Sequence, residues 1–218
     1  MSELFSIQLQ NRQQQGRDGV WLDLPTTTEQ VQAALRQIGI SSDNPQGLFI
    51  SGYFAEEEKH FAIPYNMVLA SNVDELNFLA SRLETLSTGE RAELNAALQA
   101  PQSELFSIGR ITDFPENVDY YVHLPDVRGP AQLGDYYLNR SGMVDMPEEW
   151  KGGIDLSTFG RNAAAQEKGA FTEYGYIVES GDEWERQFEG REVPEEYRIM
   201  SYPQPERGEQ DKAYMDAA

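Results

Sequence analysis

Residues 2–7 read Ser-Glu-Leu-Phe-Ser-Ile, and the same six letters return at residues 103–108. Each copy reads as a strand followed by a polar turn and a second strand. After the first come NRQQQGRDG and then Val20-Trp21-Leu22-Asp23-Leu24-Pro25; after the second come DFPEN and then Tyr120-Tyr121-Val122-His123-Leu124-Pro125. Helical patterns follow both. In the first, Thr26-x-x-Glu29 has the form of a capping box, and Val31, Ala34, Leu35 and Ile38 recur at helical spacing before Gly39. In the second, Pro130 can open a helix carrying Leu133, Tyr136, Tyr137 and Leu138, which Gly142 ends. The repeated letters therefore predict a duplicated ββα unit and an α+β fold.

Between the copies the texture changes. Residues 47–54, GLFISGYF, read as a third strand for the first unit. Ser71-x-x-Asp74 then opens a helix with Leu76, Leu79, Ala80, Leu83 and Leu86 on one stripe, and Ser87-x-x-Glu90 opens another with Leu94, Ala97 and Leu98. Residues 170–178 look like a closing strand. The division expected is an N-terminal α+β module at 1–64, a helical module at 65–102, a C-terminal α+β module at 103–179 and an acidic, flexible tail at 180–218. The tail holds 11 acids and 5 bases with few aliphatics, a composition that favours extended chain.

Composition bounds the function. The 218 residues include 37 acids against 17 Lys and Arg, a net charge of −20, and −14 of that precedes the tail. Nucleic acid and anionic membranes demand a Lys/Arg surface, so neither is expected as a direct partner. A basic protein, a cation or solubility alone accounts for such charge. With no cysteine, disulfides and thiolate metal sites are excluded. No apolar run approaches the roughly 20 residues needed to span a bilayer, and the first residues lack a signal peptide's basic start and apolar core. A bacterial cytoplasmic location is expected.

Catalytic constellations are scarce. His60 and His123 stand apart and read as structural histidines; neither has HExxH-like company. Glycine-rich nucleotide loops, a GxSxG elbow and a DxDxDG calcium loop are all missing. Glu56-Glu57-Glu58 reads as a solvated loop. With 37 acids, carboxylate pairs are too numerous to single one out, so a hydrolase has no signal of its own. The chain reads as non-enzymatic, with no cofactor or metal.

The acids do have a pattern, which is dispersion. Asp113, Glu116, Asp119, Asp126, Asp135, Asp145, Glu148, Glu149 and Asp155 recur with Tyr120, Tyr121, Tyr136, Tyr137 and Trp150 among them. Duplex DNA carries a charge every ~1.7 Å of axis, and its readers hold complementary cationic grooves. A rigid protein with carboxylates along a similar path could occupy such a groove.

Four stretches together resemble the ArdA-type antirestriction proteins of plasmids, transposons and phages. They are GVWLDLP with its helix, GLFISGYFAEEE, SNVDELNFLASRLETLSTGERAELNAAL and, most of all, GGIDLSTFGRNAAAQEKGAFTEYGYIV. In the last, Ile154, Asp155, Phe159, Gly160 and Arg161 match the family's core motif, and Gly169, Phe171, Thr172, Gly175 and Tyr176 match the strand after it. The similarity covers about residues 5–178. It implies an elongated three-module homodimer, paired through its C-terminal module, that mimics bent DNA. Such a protein occupies the groove formed by the specificity and methyltransferase subunits of type I restriction-modification enzymes, without cofactor or catalysis. Two departures reduce the charge of the motif: Asn162 follows Gly-Arg where an acid is common, and Leu156-Ser157-Thr158 contains none. Phe159, Ala163, Ala164 and Gly160 also fit a plain helix core. The tail exceeds the family core and keeps another reading open, an acidic adaptor or inhibitor of a different basic DNA-binding or defence protein.

Overall fold

The computed structural model describes residues 3–14, 18–41, 46–56, 61–101 and 103–200. The fold is α+β, with helices and two small antiparallel sheets. Packing divides the chain into two compact units, each drawn from separated stretches. The first takes Met1–Leu86, Phe106–Pro115 and the chain from Arg186; the second takes Ser87–Leu105 and Glu116–Glu185.

The first unit is built on strands β1 (Phe5–Asn11), β2 (Val20–Leu24) and β3 (Leu48–Phe54), in the order β2-β1-β3. Along β1, Phe5, Ile7, Leu9 and Asn11 are buried and the residues between them are not, the alternation a one-faced sheet demands. Register follows: Ile7 lies opposite Leu22, and a bulge between Gln8 and Leu9 resets the pairing to β3. Helix α1 (Thr28–Gln37) buries Val31, Ala34 and Leu35, and Gly39 takes φ +69 just past its end. Its cap is Thr27 with Gln30, one residue beyond the expected pair, because Thr26 donates its N–H to Asn77 Oδ1 at 2.8 Å. Short α2 (Tyr65–Leu69) leads to α3 (Val73–Leu83), again capped one residue later than predicted, by Asn72 with Glu75.

The second SELFSI copy is not a strand. Ser107 accepts an N–H from Arg110 as the cap of a short helix, α5 (Ile108–Thr112), while Leu105 and Ile108 are buried and Phe106 is exposed. The two buried positions stand three apart, not the two that one face of a strand requires. Residues 186–200 contain one 3-10 turn (Glu195–Tyr197) and otherwise no regular structure, yet they are packed against α3 and α5.

The second unit holds α4 (Thr88–Gln99), capped by Ser87 and Glu90 as predicted. Its sheet has the order β4-β6-β5, with β4 (Tyr121–Leu124), β5 (Ala170–Thr172) and β6 (Gly175–Glu179). The single closing strand expected at 170–178 is thus a hairpin, turning at Glu173-Tyr174. Pro130 does open a helix, α6 (Pro130–Asp135), which runs on as a π-helix (Tyr136–Arg140). Short α7 (Glu148–Lys151) and α8 (Leu156–Glu167) follow. Val127, Leu133, Ala164 and Tyr176 centre the core. Among the described residues no helix is long and apolar enough to cross a membrane.

Candidate functional site

The motif that carries the resemblance lies on α8 and the hairpin after it, so the site begins there. Asp155 is exposed and accepts the N–H of Thr158 at 2.7 Å, capping the helix. Those hydrogen bonds with Thr158, aided by Arg161, hold its carboxyl below the usual range. Gly160 is buried where α8 crosses α6. A Cβ there would lie 1.9 Å from the Pro130 carbonyl oxygen and 2.7 Å from the Gly134 nitrogen. Gly134 answers from the other side, where a Cβ would lie 2.1 Å from the Leu156 oxygen. The two helices touch backbone to backbone, which only glycine permits at both points. Gly160 therefore packs against α6 of its own chain.

Phe159 is half-buried and lines an open cavity of about 380 Å³ with Tyr137, Met143, Val144 and Ala163. Ile154 is half-buried and Arg161 exposed. At the far end of α8, Glu167 accepts hydrogen bonds from Tyr137 Oη at 2.9 and 3.0 Å and from Tyr176 Oη. Burial, and then the Glu167 carboxylate, push both phenols well above their ordinary range, so each keeps its proton. This cluster ties α8 to the π-helix and to β6. Nothing in the sequence marked Glu167, although Tyr176 belongs to the motif strand.

The nine acids expected on one surface divide. Glu116, Asp119, Asp126, Asp145, Glu148, Glu149 and Asp155 are exposed, all in the second unit. Asp135 is half-buried and pairs with Arg140 Nε at 3.1 Å, while Glu148 meets Lys151 Nζ at 2.7 Å. Asp113 is a correction. It belongs to the first unit, is fully buried, and accepts the N–H groups of Phe188 at 2.7 Å and Glu189 at 3.2 Å. Burial raises its pKa, against the lowering effect of those bonds. A carboxylate so enclosed cannot present charge to a partner.

A second acid, besides Glu167, escaped the sequence reading. Glu93 on α4 has its Oε1 buried without a hydrogen bond, and burial, with Glu90 and Asp119 near, pushes it up to about 7. Its neighbour Glu90 is held low by its bonds to the Ser87 cap.

His123 places Nε2 2.9 Å from the Tyr174 carbonyl oxygen, a structural contact to the hairpin turn. No group of three His, Cys, Asp or Glu able to hold a metal occurs among the described residues. His60, Glu57, Glu58 and the tail beyond residue 200 lie outside those residues.

In a comparison with known families, a family model described as "Antirestriction protein (ArdA)" fits residues 15–178, about three-quarters of the chain. A comparison with curated proteins finds no match.

Proposed function

The chain belongs to the ArdA family of antirestriction proteins, and on that premise we propose that it counterfeits DNA, occupying the DNA-binding groove of type I restriction-modification enzymes. In this reading its carboxylates take the places of phosphates and meet Lys and Arg of the specificity and methyltransferase subunits, excluding DNA. Restriction is blocked, and modification with it. The protein acts in a bacterial cytoplasm, as a homodimer and without catalysis. Support comes above all from the seven exposed carboxylates of the family-matched second unit, in a chain of net charge −20. The cavity beside Phe159 and the exposed Met143 and Trp150 (75% and 66% accessible) are the contact we assign to a second copy.

The test is competition. The full-length protein is titrated against a cognate duplex on a type I methyltransferase at ~50 and ~200 mM salt. We expect displacement of DNA at both, weaker at the higher salt. No displacement at either rejects the mechanism for that enzyme. The rival reading, an acidic inhibitor of another basic protein, draws on the acids from Ser180 onward, outside the matched stretch. It gains ground if removing the charges after residue 200 abolishes antirestriction while DNA competition persists.

A further inference from the structure

We propose that α3 and α5 form a peptide-binding groove, and that residues 186–200 are its built-in ligand, able to leave and return while the rest of its unit stays folded. The proposal is independent of the DNA-mimic reading. The floor of the groove is Phe78 of α3 and Ile108 of α5, both buried. On it lie two aromatic anchors: Phe188 meets Phe78 edge-on at 4.8 Å between ring centroids, and Tyr197 packs on the same ring at 4.6 Å. Arg82 stacks over Phe188 at 5.4 Å, and Ile199 is buried.

Backbone capture grips both ends. Asp113 accepts the N–H groups of Phe188 and Glu189; Asp74 Oδ1 accepts those of Ile199 at 2.8 Å and Met200 at 3.1 Å. Between them Asn77 Nδ2 donates to the Tyr197 carbonyl oxygen at 3.3 Å. Charged acceptors make strong bonds to backbone N–H, and such bonds with spaced side-chain anchors are how proteins read extended peptides. Arg110 receives Glu189 at 3.7 Å in a largely buried ion pair. The ligand class is therefore an extended peptide with an aromatic residue and, nine and eleven positions on, an aromatic and an aliphatic one.

Three observations separate a ligand from ordinary core. A cavity of about 320 Å³ remains between strap and helices, bordered by Glu75, Phe78 and Thr112 below and Arg191 and Val193 above. A protein core is packed far more closely than that. The strap is held through side chains and not through a sheet ladder. The groove lies within the family-matched stretch, and its occupant lies beyond it. Charge is no obstacle, since residues 186–200 carry four acids and three arginines in a chain of −20.

The experiment uses the full chain with a protease site placed at the exposed residues 180–183. After cutting, the C-terminal fragment should stay with the protein on size exclusion, and a fluorescein-labelled peptide of residues 186–200 should exchange for it. A Phe188→Ala peptide should compete about tenfold less well or worse. Gly109→Ala gives the reciprocal change. Alanine favours the helix, but its Cβ would sit 3.1 Å from Glu189 Cα, so the fold should hold while the labelled peptide binds about tenfold more weakly. A fragment lost on cutting, a fragment the peptide never replaces, or a Phe188→Ala peptide that competes equally would each overturn the proposal.

Discussion

Glu93 shows how one residue's surroundings set its chemistry. Its pKa is raised from the ordinary 4.5 to about 7, first by burial and then by the nearby charges of Glu90 and Asp119. A raised carboxyl favours folding while protonated. Its contribution is fully present below pH 4.5 and is lost as pH rises through about 7. Urea unfolding of wild type should therefore show stability falling between pH 5 and pH 8 relative to Glu93→Gln. The variant should be the more stable at pH 8 by ~1 kcal/mol, a modest figure because solvent screens this half-buried group. Equal pH profiles would remove Glu93 from the account. Such environments are poorly legible in sequence. Asp113 and Asp119 look alike in TDFPENVDY, yet the first is enclosed by a segment some 75 residues later in the chain and the second is exposed.

At the scale of elements the crossing of α6 and α8 decides the second unit. Gly160→Ala would drive a methyl group into the Pro130 carbonyl, and no side chain there can move aside. We expect at least ~3 kcal/mol of destabilisation, seen as a lowered urea midpoint, since backbone must shift to relieve the contact. Asn162→Ala, exposed on the same helix, should change the midpoint little. Elements of this kind were readable where local pattern and packing agree: the alternation of β1, the stripe of α3 and the Ser87–Glu90 cap. They misled where one pattern serves two outcomes. Two helix caps moved by one residue: at α1 Thr26 and Thr27 suit the role equally and Asn77 claims the first, and at α3 Ser71 Oγ donates back to the Met67 carbonyl while Asn72 caps. SELFSI became a strand beside β2 and β3 and a helix start at Ser107, since a strand needs partners that six letters do not contain.

For the whole molecule, on the proposed DNA-mimic reading, the quantity that matters is charge in register with a partner. Exposed ion pairs contribute ~0–1 kcal/mol each and distant ones add. Asp126→Asn, Asp145→Asn and Glu149→Gln should each weaken DNA displacement slightly, and the triple variant by about the sum, with a shallower salt dependence. One substitution abolishing activity alone would instead point to a specific contact. The sequence made the charge and the dispersion of the acids plain. It did not show which acids are spent inside the fold: Asp113 holds the strap and Asp135 meets Arg140.

The first unit is assembled from three stretches, and the last of them follows about 70 residues of the second. On a ribosome adding roughly 5–20 residues per second, α5 is made some 4–14 s before the segment that covers it, and α3 earlier still. For that interval every nascent chain carries Phe78 uncovered and Asp113 without the amides it later receives. Translation speed through residues 116–185 then sets how long each new molecule is open to a chaperone, a neighbouring nascent chain or any foreign peptide with the same three anchors.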